Sequence, residues 1–301
     1  MPIRVGFSSA MCSEWDLPAL IERAAALGYE GVALRGLAGG AHPHQVPELN
    51  RAPDRLRASL AAHSVELISL TSPVSFETAR RSVCQANQQS LASTVALARR
   101  LGCRYVRMVL GGAVGSEHRG TLSWVAEELR KAAEAAARHG MTLLLENGGD
   151  FCRSEDLWFV LDAVAHPALR GCWNPLAARA LGEPPTVSVP RLRTRLAVFQ
   201  ACDGRFDDHG RLCGSVPLGE GEVDLARAID LLKGVCFQGW LVADWPAGSP
   251  PPEEAEAVLR TTLDFLRDRL AARTAPLAAY KSDKQAPNLR PPPSVEAPSV
   301  K

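Results

Sequence analysis

Residues 141–150 read MTLLLENGGD, a short apolar run that closes on a carboxylate, Glu146, and breaks at two glycines. It is too short for a helix and lacks the polar alternation of a half-exposed strand. That is the pattern of a parallel strand buried on both faces. Gly140, just before it, suits the left-handed cap of a preceding helix, and Gly28 and Gly102 occupy the same place ahead of other strands. Working outwards from this run, like segments recur at Arg4–Phe7, Gly31–Leu34, Val65–Leu70, Tyr105–Leu110, Leu169–Trp173, Leu196–Gln200 and Trp240–Asp244. Between them, apolar residues return every three or four positions, as in Leu91, Val95, Ala98 and Leu101, or Leu259, Leu263, Leu266 and Leu270. Ser13-Glu14-Trp15-Asp16, with Pro18 close behind, predicts a helix start capped by Ser13, and Ser154-Glu155-Asp156 predicts another. Eight evenly spaced strand–helix units, with no GxGxxG or GxxxxGK[ST] loop after the first strand, predict a closed (β/α)8 TIM barrel of the α/β class. They also predict the absence of a nucleotide cofactor.

The chain of 301 residues accommodates one such barrel, which takes about 250 residues, so residues 1–273 are assigned to a single domain. Residues 274–301 are rich in Pro, Ala, Ser and Lys without an apolar period, and are expected to form a disordered tail. A net charge of +1 excludes a global field drawing the chain to nucleic acid or an anionic membrane. The opening MPIRVGFSSA lacks a basic segment followed by an apolar run, and no stretch approaches the roughly 18 apolar residues of a spanning helix. The expectation is a soluble cytoplasmic protein with a small-molecule substrate. The 8 cysteines are scattered without a CxxC pair, as expected of reduced thiols used as small core residues. Cys202, His209 and Cys213 make at most a loose zinc set without a fourth ligand.

In a barrel of this kind chemistry sits where the strands end. Glu146 and Asp244 end the fifth and eighth strand candidates, three strands apart around the mouth. Carboxylates so placed suit removal of a proton on one side of a substrate and its return on the other. The alternative for Glu146 is an ion pair with Arg35 or Arg107. Asn174 and Gln200 end the sixth and seventh strands. Arg35 and Arg205 are candidates for an anionic substrate group, as Arg107 and Arg211 are. Trp15, Trp173 and Trp245 are candidate pocket walls, with Asn147 and Asp203 as further polar contacts.

The segments LLLENGGD, WNPLAARALGEPP, VFQACDG, VPLGEGEVDLARAIDLL and GWLVADWP resemble the second half of the xylose-isomerase-like sugar phosphate isomerase/epimerase family. The resemblance covers residues 1–270 and is strongest from Thr142 to Pro246. It implies a divalent metal, often manganese, held by Glu, Asp, His and Glu from strands five to eight, and an enediolate formed between two glutamates. It further implies a homodimer as a family-level expectation.

Only part of that set is kept. Glu146 matches the first glutamate. The aspartate falls on Asn174, the histidine of an HxKD motif on Gln200, and the last glutamate on the shorter Asp244. Asp203 matches the aspartate of HxKD, Cys202 stands for its lysine, and Gly148 replaces a histidine that often follows LEN. Two amides and two carboxylates suit at most a weak site for manganese or magnesium, and a metal-free mouth is the alternative. Three functions remain open. They are an isomerase or epimerase acting on a sugar or related hydroxy-carbonyl compound, a metal-independent lyase, dehydratase or cyclase, and a non-catalytic binding barrel.

Overall fold

The computed structural model describes residues 2–36, 43–75, 81–112 and 118–273, side chains 44, 81 and 82 aside. Eight parallel strands close into a barrel: β1 (Arg4–Ser8), β2 (Gly31–Leu34), β3 (Glu66–Ser75), β4 (Tyr105–Val109), β5 (Thr142–Glu146), β6 (Leu169–Trp173), β7 (Leu196–Ala201) and β10 (Trp240–Ala243). Closure runs through β1, which pairs with β2 on one side and with β10 on the other, Arg4 opposite Trp240 and Phe7 opposite Ala243. Between β7 and β10 the chain adds an antiparallel hairpin, β8 (Asp203–Phe206) and β9 (Leu212–Val216), which the sequence reading does not anticipate. β8 (DGRF) is polar and β9 (LCGSV) is exposed or half exposed along its length, so neither shows the buried apolar run that marks the other eight. The assigned tail lies outside the described residues. No described helix is long and apolar enough to cross a membrane.

The barrel interior is narrow. Ala33, Ile68, Leu144, Cys172, Val198, Trp240 and Val242 form a cluster of their own, separate from the layer between strands and helices. Trp240 and Ile68 have room because Gly6 and Gly31 stand beside them. A Cβ on Gly31 would lie 2.8 Å from Ile68 Cγ1 and 2.9 Å from Trp240 Cη2. Gly31→Ala is therefore expected to cost about 1–3 kcal/mol through overpacking. A denaturant melt showing no loss would mean that Trp240 or Ile68 can move aside.

The anticipated glycine caps are present: Gly28, Gly102 and Gly140 have φ of 90°, 72° and 68°. The helix starts differ from expectation. Asp16, not Ser13, caps the helix Leu17–Leu27 by accepting from Ala19 N, since Ser13 closes a preceding 3-10 turn. Ser154 is itself the first residue of its helix, and its amide N–H donates to the buried carboxylate of Glu183. No disulfide joins the cysteines. Cys12, Cys103, Cys172 and Cys202 are buried as expected, but Cys213 and Cys236 are exposed.

Candidate active site at the barrel mouth

Side chains alternate along a strand. With Ala33, Leu144, Cys172, Val198 and Val242 inside the barrel, the residues two further on also point inwards at its C-terminal end. These are Arg35, Glu146, Asn174, Gln200 and Asp244, and Arg107 follows Tyr105 in the same way. The sequence reading thus named all of these positions, and the fold brings them together.

Their connections are specific. The Arg107 Nε–H donates to Glu146 Oε2 in an ion pair buried on both sides, Arg107 being 6% and Glu146 3% exposed. Gln200 Nε2 donates to the same oxygen at 3.1 Å, and Asn174 Nδ2 donates to Oε1 at 3.2 Å. Asp244 accepts from Arg35 Nη1 at 2.8 Å through Oδ2, and from its neighbour Trp245 N at 3.0 Å through Oδ1. Ser9 holds Arg35 in place, its hydroxyl accepting from Arg35 N and donating to Arg35 O. Burial pulls the Arg107 guanidinium down, but the Glu146 charge, with help from Asp244, outweighs it and leaves Arg107 above its ordinary value. Burial also pushes the Cys172 and Cys202 thiols well up.

A resident divalent metal does not fit this donor set. Each oxygen of both carboxylates already accepts from a protein donor. Asn174 Oδ1, the atom that would replace an aspartate oxygen, accepts from Leu176 N and Ala177 N as the cap of the helix Pro175–Ala180. Two guanidiniums bond the same carboxylates. At an effective dielectric of 20, a doubly charged ion about 4 Å from one of them would be repelled by roughly 8 kcal/mol. No cluster of three His, Cys, Asp or Glu side chains suited to a metal occurs among the described residues. Cys202 is fully buried, with Sγ 3.5 Å from Asn174 Oδ1, whereas Cys213 is exposed on the hairpin, so the loose zinc set is not assembled.

The remaining candidates divide. Trp15 and Trp245 are partly buried in the loops after β1 and β10, with the Arg23 guanidinium 4.5 Å over the Trp15 ring. Arg205 is exposed on β8. Trp173 is corrected: its ring is fully buried in the layer between barrel and helices, so it cannot stack on a substrate. Asn147 is committed to backbone, donating to Cys152 O and Asn174 O and accepting from Asn174 N. Asp203 is also corrected, since its carboxylate accepts from four backbone N–H groups, those of Gly204, Gly219, Gly221 and Val223. Glu222 accepts from Phe206 N and pairs with Arg179, in keeping with a loop-shaping role. His118 is held by Asp156 at 2.8 Å at the start of the helix His118–Ala137, a pairing that no local pattern announces.

A closed parallel barrel whose mouth carries two carboxylate–guanidinium pairs and two amides defines the class. Residues 21–269 match the model of the xylose isomerase-like TIM barrel family, and the chain belongs to that family. Solved structures agree on the fold. The IolI protein with a bound zinc atom is 18% identical with a TM-score of 0.77, covering 89% of this chain and 98% of that one. D-psicose 3-epimerase from Clostridium cellulolyticum H10, solved with D-tagatose, is 13% identical with a TM-score of 0.72, covering 90% and 100%. The probable 3-DHS dehydratase AsbF from Bacillus anthracis is 17% identical with a TM-score of 0.71, covering 89% and 99%. No curated protein matches by sequence.

Proposed function

We propose that this chain is an enzyme acting on a sugar or related polyhydroxylated hydroxy-carbonyl compound by proton transfer between carbon and carboxylate. The observation that carries this reading is the placement of Glu146 and Asp244 at the ends of β5 and β10, three strands apart around one closed mouth. One carboxylate takes the proton from the carbon beside the carbonyl. The C–H electron pair becomes the C=C bond of an enolate, and the carbonyl oxygen takes the negative charge. Return of a proton from the opposite side inverts the carbon, and return to the former carbonyl carbon, with the neighbouring hydroxyl proton passing to the former carbonyl oxygen, isomerises the compound. No step is assigned to a metal, because the donor set does not suit one. An epimerase and a dehydratase among proteins of the same fold are compatible with chemistry of this kind, at identities that carry the fold alone.

Proton transfer is measurable without knowing the product. Chelator-treated protein incubated with ketohexoses, ketopentoses and cyclic polyol ketones in D2O is expected to place deuterium beside the carbonyl of at least one compound. Glu146→Gln and Asp244→Asn, measured well below their melting temperatures, are each expected to slow that exchange by about 100-fold or more. A second reading, a binding barrel without chemistry, is favoured by the fact that both carboxylates already carry a guanidinium partner. Ligand binding without exchange in the wild-type protein would support it and overturn the first.

A further inference from the structure

We infer that Arg107 is the built-in cation of this mouth, its guanidinium supplying from β4 the fixed positive charge that excludes a divalent ion from Glu146 and Asp244. Three observations converge on it. Arg107 lies on the inward face of β4, two residues beyond Tyr105, and is 6% exposed. Its Nε–H is fixed on Glu146 Oε2, the oxygen that also accepts from Gln200 at 3.1 Å. Gln200 is oriented by its donation to Glu146, and its Oε1 is buried without a partner.

The charges at this level balance, with Arg35 and Arg107 against Glu146 and Asp244. Adding a divalent ion would leave net charge among largely buried groups, whereas removing Arg107 would leave the buried Glu146 carboxylate uncompensated and facing two amides. The positive charge is therefore part of the chain. Its role toward a substrate, that of polarising a carbonyl and receiving the enolate oxygen through Nη, rests on the proposed function. Its role in excluding metal does not.

The test uses manganese alone. Wild-type protein, freed of metal and titrated with Mn2+, is expected to bind no stoichiometric ion by electron paramagnetic resonance and to melt at an unchanged temperature. Arg107→Met, which frees Glu146 Oε2 of its guanidinium and leaves the unpartnered Gln200 Oε1 as a second donor, is expected to bind one Mn2+ and to gain more than about 5 °C in melting temperature when Mn2+ is in roughly 100-fold excess over its Kd. Arg107→Lys, which keeps a charge, should behave as wild type, and Arg107→Met with Glu146→Gln should lose the gain. If Arg107→Met does not fold, Arg107→Gln carries the same comparison. Stoichiometric Mn2+ in the wild type overturns the inference, as does a folded Arg107→Met or Arg107→Gln that binds none. Should manganese behave as expected while no proton exchange is found with any substrate, the proposed function fails and the built-in cation stands.

Discussion

Replacement of Glu146 by glutamine is expected to lower the melting temperature by on the order of 10 °C, although the side chain keeps nearly the same shape. The cause is the guanidinium left behind. Arg107 is 6% exposed and its charge is compensated chiefly by Glu146, with Asp244 further off. Removing one member of a buried pair costs about 3–5 kcal/mol, because the other remains desolvated without its counter-charge. Asn174 and Gln200 add to the effect, since both donate to the carboxylate and would face a glutamine with an NH2 group in place of one acceptor oxygen. The double variant Glu146→Gln with Arg107→Met should recover most of the loss, as the charge that made the single change costly has gone. Thermal or urea melts of the four proteins in the cycle measure this directly. A Glu146→Gln protein as stable as the wild type would show that the pair is open to water.

The same pair marks how far the sequence could be read. Glu146 and Asp244 are visible because a charge at the end of an apolar run has no packing reason to be there. The strands are visible for a related cause: β2 and β6 have the anticipated bounds, because parallel strands buried on both faces are largely apolar, Arg170 in β6 being half buried. Arg107 is harder to place. Inside YVRMV it reads as one cation within a strand, and only the strand's register, which sets Arg107 beside Leu144 and Val109 beside Glu146, aims it at the neighbouring carboxylate. The choice between Arg35 and Arg107 as the partner of Glu146 could not be made from spacing, since it depends on which strand lies adjacent in the closed barrel. Arg107 on β4 takes Glu146, and Arg35 on the opposite side takes Asp244 through the seam that β1 closes.

Family-like motifs mislead in a different way. PLGEGEVDL and the aspartate of VFQACDG invite a functional reading of Asp203, yet geometry gives both a shared structural task. Gly221 lies so close to the Asp203 carboxylate that a Cβ there would overlap it, and 2.6 Å from Gly204 N there is no room for one. A carboxylate bonded to backbone N–H groups sixteen to twenty residues away leaves no periodic trace, because the donors are the same in every amino acid but proline. What the sequence displays as a motif is the backbone shape needed to bring those donors round.

Asp203→Ala is accordingly expected to be among the most damaging single changes outside the hydrophobic core. Asp203 is 1% exposed, and its two oxygens accept from Gly204 N at 2.9 Å, Val223 N at 3.0 Å, Gly219 N at 3.0 Å and Gly221 N at 3.0 Å. Each buried N–H deprived of its acceptor costs about 1–3 kcal/mol, and some will reach water, so a net loss of at least about 3 kcal/mol is expected. Asp203→Asn should fall between alanine and wild type. One amide oxygen can still serve Gly204 and Val223, but an NH2 in the place of the other would oppose the N–H groups of Gly219 and Gly221. Hydrogen exchange at those two amides should therefore quicken first, before the barrel strands are affected. If Asp203→Asn instead melts like the wild type, with unchanged exchange at Gly219 and Gly221 and a selective loss of ligand affinity, Asp203 belongs to the substrate after all. That outcome would restore the reading its motif suggests and remove the backbone anchor assigned to it here.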